Sequence, residues 1–225
     1  FFTAVAPILA IPFYVASLGI SEYGLIGFVI LLQTILLLVE AGVSQAIVKE
    51  FISLRLDGNE NCASEFLIAF ERIYLVISLI IFFVAYFSAG FIAANWINLD
   101  QMIVSEPLSV IEVSAVLLAV QFSGALYRAS LLALKSHFIF NVINAFSIVL
   151  RHFVGIFIVF FYPSAFHLIT WFCIAITIEV MVKRYFTMKN YSKVQVDYKT
   201  IFQRLMPILK NSGALITGTF IGSMA

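Results

Sequence analysis

Residues 138–162 read FIFNVINAFSIVLRHFVGIFIVFFY, an apolar stretch that carries Arg151 and His152 near its middle. A straight helix of this length measures about 37 Å, enough to cross a hydrocarbon core of about 30 Å. Arg151 then lies about 20 Å from one end and about 16 Å from the other, too deep for its side chain to reach either interface. Because a guanidinium at that depth costs about 3 kcal/mol, we expect Arg151 to face a charged partner or a water-filled cavity.

The polar residues of this stretch predict one hydrated face. At about 100° per residue they fall within an arc of about 140°. They are Asn141, Asn144, Ser147, Arg151, His152 and Gly155. Most of the other positions are Phe, Ile, Val or Leu, so the stretch is predicted to be a membrane helix with one polar side.

The composition of the whole chain excludes a soluble domain. Its 225 residues are 63% hydrophobic and only 11% charged, about half the charged share of globular domains. The formal net charge of +1 gives no indication of a nucleic-acid partner. Cys62 falls in a polar stretch and Cys173 in an apolar one, so two separate thiols are expected rather than a disulfide.

Six apolar segments are predicted to cross the membrane as helices, and a seventh begins near residue 201. The six segments are 1–18, 25–48, 66–96, 108–134, 138–162 and 165–186. We predict an all-α integral membrane protein with a turn at 19–24 and a loop at 97–107. Residues 1–186 would form a six-helix lobe, 187–200 a basic connection, and 201–225 the start of a second lobe. Because both ends lie within apolar runs, we expect the chain to be part of a longer protein.

The basic residues predict the orientation in the membrane. Lys49 and Arg55 follow the second segment, Lys135 lies between the fourth and fifth, and more basic residues surround 187–200. The alternate loops 17–24, 97–107 and 162–165 contain no Lys or Arg. The positive-inside rule then makes the basic side, and the N-terminus, cytoplasmic.

Ionisable groups within the apolar segments are the main chemistry that the sequence offers. Arg72 lies near a predicted helix end and can reach the interface, whereas Arg128 can either anchor there or line a cavity. For Arg151, the alternative to a cavity is a buried pair with a carboxylate such as Glu40 or Glu112.

Two further ionisable residues have local interpretations. His152 is a candidate for proton or ion coupling, together with Glu40 and Glu112, although a single His in a bundle is more often only hydrogen-bonded. Glu179 is predicted to pair with Lys183, four residues later on the same helix. The chain contains no Walker A, H-E-x-x-H or G-x-S-x-G motif, so we expect neither an enzyme nor a metal or other cofactor.

Two short motifs resemble a known family. Residues 18–24 (LGISEYG) and 39–46 (VEAGVSQA) resemble the start of the bacterial polysaccharide exporters, the O-antigen flippases of the multidrug/oligosaccharidyl-lipid/polysaccharide superfamily. The basic stretch before Leu205-Met206-Pro207 resembles their connection between lobes. The resemblance implies two six-helix lobes around a central cavity in the bacterial inner membrane. It also implies a polyprenyl-pyrophosphate-linked oligosaccharide as cargo, moved to the outer leaflet. Its partners would be the lipid bilayer and other membrane proteins of polysaccharide assembly, with no nucleic acid.

This cargo agrees with the charges of the apolar segments, because a guanidinium binds phosphate oxygens in a bidentate manner. We therefore expect the pyrophosphate to be held by Arg151, helped by Arg128 and Arg72. The candidates for hydrogen bonds to the sugar are Asn141, Asn144, Gln33 and Ser123.

Three alternatives remain. A cation-coupled drug antiporter of the same superfamily would require Glu40 or Glu112. A membrane-embedded glycosyl polymerase would need a larger outer loop than 97–107. A purely structural membrane subunit would not explain the polar face of 138–162.

Overall fold

The computed structural model describes residues 2–56, 58, 60–95, 107–189 and 191, and among these the backbone forms five α-helices and no β-strand. The helices are α1 (Phe2–Leu56), α2 (Glu60–Asn95), α3 (Pro107–Ala133), α4 (His137–Phe161) and α5 (Ala165–Met188). The all-α prediction is confirmed for this part of the chain. The loop at 97–107 (apart from Pro107), the seventh segment and most of the 187–200 connection lie outside the described residues.

All five helices are long and apolar enough to cross a membrane. Large apolar side chains remain exposed along them, for example Phe83, Phe87 and Phe91 of α2 at 50%, 77% and 64%. Exposed rings of this size are expected where a helix contacts lipid tails rather than water. These features are those of a multi-pass membrane protein.

The predicted turn at 19–24 is wrong, because residues 20–24 are helical. Only Gly19 leaves the helical conformation, with φ 78° and ψ 169°. Glycine adopts a positive φ without the steric cost that a Cβ would add, so one residue is enough to interrupt the helix. Helix α1 therefore consists of two segments, 2–18 and 20–56, joined at Gly19.

The helices form two compact units, and each helix contributes a part to both. The first unit comprises the described residues of 1–33, 78–121 and 141–179. Within it, the ring of Tyr14 lies 6.5 Å from that of Phe172. Gly155 leaves room for Tyr14, since a Cβ at 155 would lie 2.6 Å from the Tyr14 hydroxyl.

The turn between α4 and α5 also belongs to the first unit. The Ser164 hydroxyl accepts a hydrogen bond from the Phe166 amide at 3.2 Å, as an N-cap does. The buried Glu22 carboxylate, from the second segment of α1, accepts another from the Ala165 amide at 2.5 Å. A carboxylate is favourable here because the first amides of a helix carry partial positive charge. Glu22 thus joins α1 to the start of α5.

The second unit comprises the described residues of 34–77, 122–140 and those from Val180 onward. Its core is aromatic: the ring of Phe66 lies 5.1 Å from that of Phe51 and 4.3 Å from that of Phe70. The rings of Tyr74 and Phe122 stack at 4.9 Å and join α2 to α3. Edge-on and offset contacts at these distances stabilise a core beyond the burial of apolar area.

Candidate functional site

Arg151 lies in the first unit and forms an ion pair with Glu179 of α5. Its Nη2 donates a hydrogen bond to Oε2 of Glu179 at 2.9 Å, and the hydroxyl of Ser147 donates to the same oxygen at 2.5 Å. Ser147 precedes Arg151 by four residues, so both side chains lie on the same face of α4. The side chains of Arg151 and Glu179 are 17% and 11% exposed. We call these two residues the Arg151 pair.

The ion-pair partner of Arg151 is Glu179, whereas the sequence suggested Glu40 or Glu112. The ammonium of Lys183 lies over the ring of Phe140 at 5.1 Å, with the residue only 6% exposed. The pair of Glu179 with Lys183 within α5 stays a prediction.

The sequence does contain a signal for the contact between Ser147 and Glu179. Helices α4 and α5 are joined by a three-residue turn around Pro163, so they are expected to run antiparallel in contact. Ser147 and Glu179 each lie sixteen positions from Pro163, and antiparallel helices bring such positions to the same depth.

His152, next to Arg151, contacts the first segment of α1. The hydroxyl of Tyr14 donates to the backbone carbonyl of His152 at 3.2 Å and lies 3.3 Å from its Nδ1. The ring of Phe172 meets the His152 ring edge-on at 5.5 Å. The indole of Trp171 donates to the carbonyl of Arg151 at 2.9 Å. The dipeptide therefore joins α4 to both α1 and α5.

The predicted polar face of α4 is the face that packs against the protein. Ser147 and Gly155 are buried, and Asn144, Arg151 and His152 are half-buried. Asn141, nearer the start of the helix, is exposed. The phenylalanines of the other faces are 52–80% exposed: Phe138, Phe146, Phe153, Phe157 and Phe160. Polar side chains that face the protein are expected in a membrane helix, because lipid offers them no hydrogen bonds.

A second ion pair lies in the second unit. Nη2 of Arg128 on α3 donates to Oε2 of Glu40 on α1, and the hydroxyl of Ser44 donates to the other carboxylate oxygen. Glu40 is 1% exposed, whereas the side chain of Arg128 is 32% exposed. The structure thus joins a predicted phosphate ligand to a predicted coupling residue. We call these two residues the Arg128 pair.

Tyr127, the neighbour of Arg128, belongs to a network that was not predicted. Its hydroxyl donates to Oε1 of Glu71 on α2 at 2.6 Å, and Nε of Arg184 on α5 donates to the same oxygen at 2.7 Å. Three helices of the second unit are thereby connected through one carboxylate. Local spacing gives no signal for it, because its members lie 56 and 113 positions apart in the sequence.

The remaining candidates are distributed over both units. In the first unit, Gln33 donates to the amide oxygen of Gln121 at 2.6 Å, and Glu112 is half-buried on α3. In the second, Arg72 is exposed on α2 and Ser123 is half-buried on α3. Among the described residues, no group of three or more His, Cys, Asp or Glu side chains could hold a metal ion.

Comparison with family models, with curated proteins and with solved structures finds no match to this chain.

Proposed function

We propose that this chain belongs to a transporter that moves polyprenyl-pyrophosphate-linked oligosaccharides from the cytoplasmic to the outer leaflet of a bacterial inner membrane. The observation that carries the proposal is the asymmetry of the two ion pairs. In each pair the carboxylate side chain is the more buried partner and the arginine side chain the more exposed. The difference is small for the Arg151 pair, 11% against 17%, and large for the Arg128 pair, 1% against 32%.

This asymmetry suits the binding of an anion. A guanidinium has five N–H donors, and in the Arg151 pair the bond to Glu179 is made through Nη2. The buried carboxylate offsets the cost of holding the arginine at membrane depth and also fixes its orientation. A pyrophosphate carries more negative charge than the carboxylate and can accept two parallel hydrogen bonds, so it competes well for the guanidinium.

A cationic substrate fits the pairs less well. Glu40 is almost completely buried and already accepts hydrogen bonds from Arg128 and Ser44. A cation would have to displace the arginine before it reached this carboxylate. The anion transporter is therefore favoured over the cation antiporter.

The proposal includes six membrane crossings with a cytoplasmic N-terminus. Helix α1 contains 55 residues, about 80 Å of helix, whereas the hydrocarbon core is about 30 Å thick. The break at Gly19 supports separate crossings by segments 2–18 and 20–56. Under this topology the exposed Lys135, in the turn between α3 and α4, lies on the cytoplasmic side.

The polar side chains Asn144, Asn141, Gln33 and Ser123 are proposed to bind the sugar. Gln33 is already paired with Gln121 through amide groups. Sugar hydroxyls can replace either partner of such a pair without leaving a buried amide unsatisfied.

A leaflet assay tests the proposal. Full-length protein is reconstituted into liposomes with a fluorescent polyprenyl-pyrophosphate oligosaccharide, and the fraction reaching the opposite leaflet is followed over time. We expect Arg151→Ala to abolish most transport and Arg151→Lys to retain part of it, because lysine keeps the charge but not the bidentate geometry. Lys135→Gln is the matched control and should transport normally. Full transport by both Arg151 variants would overturn the proposed role.

A further inference from the structure

The last two turns of α5 line a groove in the second unit. Its volume is about 370 Å³, and it is lined by Met181, Arg184, Tyr185, Met188 and Lys189. Positions with this spacing lie on one face of a helix. A groove of this volume is within the range of small-ligand sites.

The lining combines cations with long apolar side chains. Met181 and Tyr185 are each 64% exposed. Arg184 contacts Glu71 through Nε at 2.7 Å, yet 55% of its side-chain surface remains exposed. Lys189 is also exposed, and its amide donates to the carbonyl of Tyr185 at 3.1 Å, which continues the helical turn to the edge of the groove.

The net charge of the groove is small and positive. Arg184 and Lys189 carry two positive charges, and Glu71 neutralises one of them. One positive charge complements the single negative charge of a phosphodiester. A pyrophosphate, with two or more negative charges, would be compensated only in part.

The position in the helix supplies the rest of the chemistry. Helix α5 has 24 residues, about 36 Å, so its last turns reach the level of the lipid headgroups. Tyrosine and basic residues are typical of that level, because their apolar parts remain in the acyl region while their polar ends reach water. Methionine is flexible and adapts to irregular apolar partners such as an acyl chain.

We infer that this groove binds one anionic phospholipid of the phosphatidylglycerol type. Arg184 and Lys189 contact its phosphate, and Met181, Tyr185 and Met188 contact the upper part of an acyl chain. The inference does not depend on the proposed transport function, because it uses none of the residues of the Arg151 or Arg128 pairs.

Native mass spectrometry of the full-length protein tests the groove. Protein released from mixed micelles containing equal amounts of phosphatidylglycerol and phosphatidylcholine should retain the anionic lipid in preference. Lys189→Gln should reduce that preference about fivefold, the effect of one basic residue near an anionic lipid, and Arg184→Gln with Lys189→Gln about 25-fold. The charge-conserving pair Arg184→Lys with Lys189→Arg should stay within about twofold of the wild type.

The same experiment includes the results that would overturn the inference. Lys135→Gln removes one exposed charge that does not line the groove and should leave the preference unchanged. An equal loss there would indicate a nonspecific surface effect. Equal retention of both lipids by the wild type excludes an anionic-lipid site. Displacement of phosphatidylglycerol by an equimolar amount of polyprenyl pyrophosphate assigns the groove to a different occupant. Normal transport by the Arg151 variants in the leaflet assay would overturn the proposed transport role but would not change the lipid-retention measurements. The two proposals are therefore tested independently.

Discussion

The Arg151 pair allows a structural role to be separated from a transport role by comparing a single with a double substitution. Arg151→Met removes the cation but keeps an apolar stem, and it takes one ion-pair contact away from the Glu179 carboxylate, whose side chain is 11% exposed. Breaking a buried pair costs about 3–5 kcal/mol in soluble proteins, whereas polar contacts between membrane helices average about 0.6 kcal/mol. The remaining bond from Ser147 to the carboxylate moderates the loss. We expect a destabilisation of about 2 kcal/mol, between these limits.

The second variant neutralises both partners. In Arg151→Met with Glu179→Gln neither position of the pair carries a charge, and the amide can still accept the hydrogen bond from Ser147. Replacing both members of a buried pair by neutral groups is often nearly neutral for stability. We therefore expect the double variant to recover to within about 1 kcal/mol of the wild type. Transport should stay as low as in Arg151→Met, because the phosphate ligand is still missing.

Two measurements on the same purified full-length protein complete the test. The free energy of unfolding is obtained by titration with sodium dodecyl sulfate in mixed micelles, followed by circular dichroism. Transport is obtained from the leaflet assay in liposomes. A double variant that recovers both stability and transport would show that Arg151 serves only the packing of α4 on α5. That result would refute the inference that the Arg151 guanidinium binds an anion.

Two further predictions concern packing. Gly155→Ala should destabilise the protein by about 1–3 kcal/mol, since overpacking costs that much and the new Cβ would lie 2.6 Å from the Tyr14 hydroxyl. Gly90→Ala is its control, because a Cβ there meets no atom within 4 Å; equal shifts in thermal unfolding would contradict the prediction. Glu22→Ala should cost about 1–3 kcal/mol, because the Ala165 amide loses its charged acceptor. Glu22→Gln should cost less, and an unchanged melting temperature for Glu22→Ala would show that this bond is dispensable.

The positions of the later helices could be predicted closely from the sequence. The thickness of the hydrocarbon core sets a minimum length for an apolar run, and short polar or proline-containing stretches end it. The predicted segment 138–162 compares with α4 at His137–Phe161, and 165–186 with α5 at Ala165–Met188. These helix ends could be predicted because the length of the apolar run and the proline-containing turn mark them in the sequence itself.

The start of the chain was harder to predict for a physical reason. Residues 19–24, GISEYG, combine two glycines with a serine and a glutamate, a composition typical of loops. In the structure, Glu22 instead accepts a hydrogen bond from α5, 143 positions away. A polar segment that is stabilised as a helix by a distant contact has the same composition as a loop. Local sequence patterns therefore do not distinguish the two.

Rotation of the helices about their axes explains why the ion-pair partners could not be identified from depth alone. Lipid tails are as apolar as leucine, so burial of apolar surface does not determine which side of a membrane helix faces its neighbours. The exposed phenylalanines of α4 show that apolar side chains point outward where polar ones point inward. The depth of Arg151 thus required a partner without specifying which carboxylate would provide it.

Adjacent polar residues provide the missing rotational information. Two successive residues of a helix point about 100° apart, so a dipeptide can contact two different neighbours. In the second unit, Tyr127 bonds to Glu71 of α2 while Arg128 bonds to Glu40 of α1. The Arg151–His152 dipeptide does the same for α5 and α1 in the first unit. Each dipeptide therefore sets the rotation of its own helix even in the absence of substrate. Loss of transport in Arg151→Met alone does not distinguish the loss of a phosphate ligand from a rotation of α4. The double variant Arg151→Met with Glu179→Gln separates the two explanations, because it restores the packing without restoring the charge.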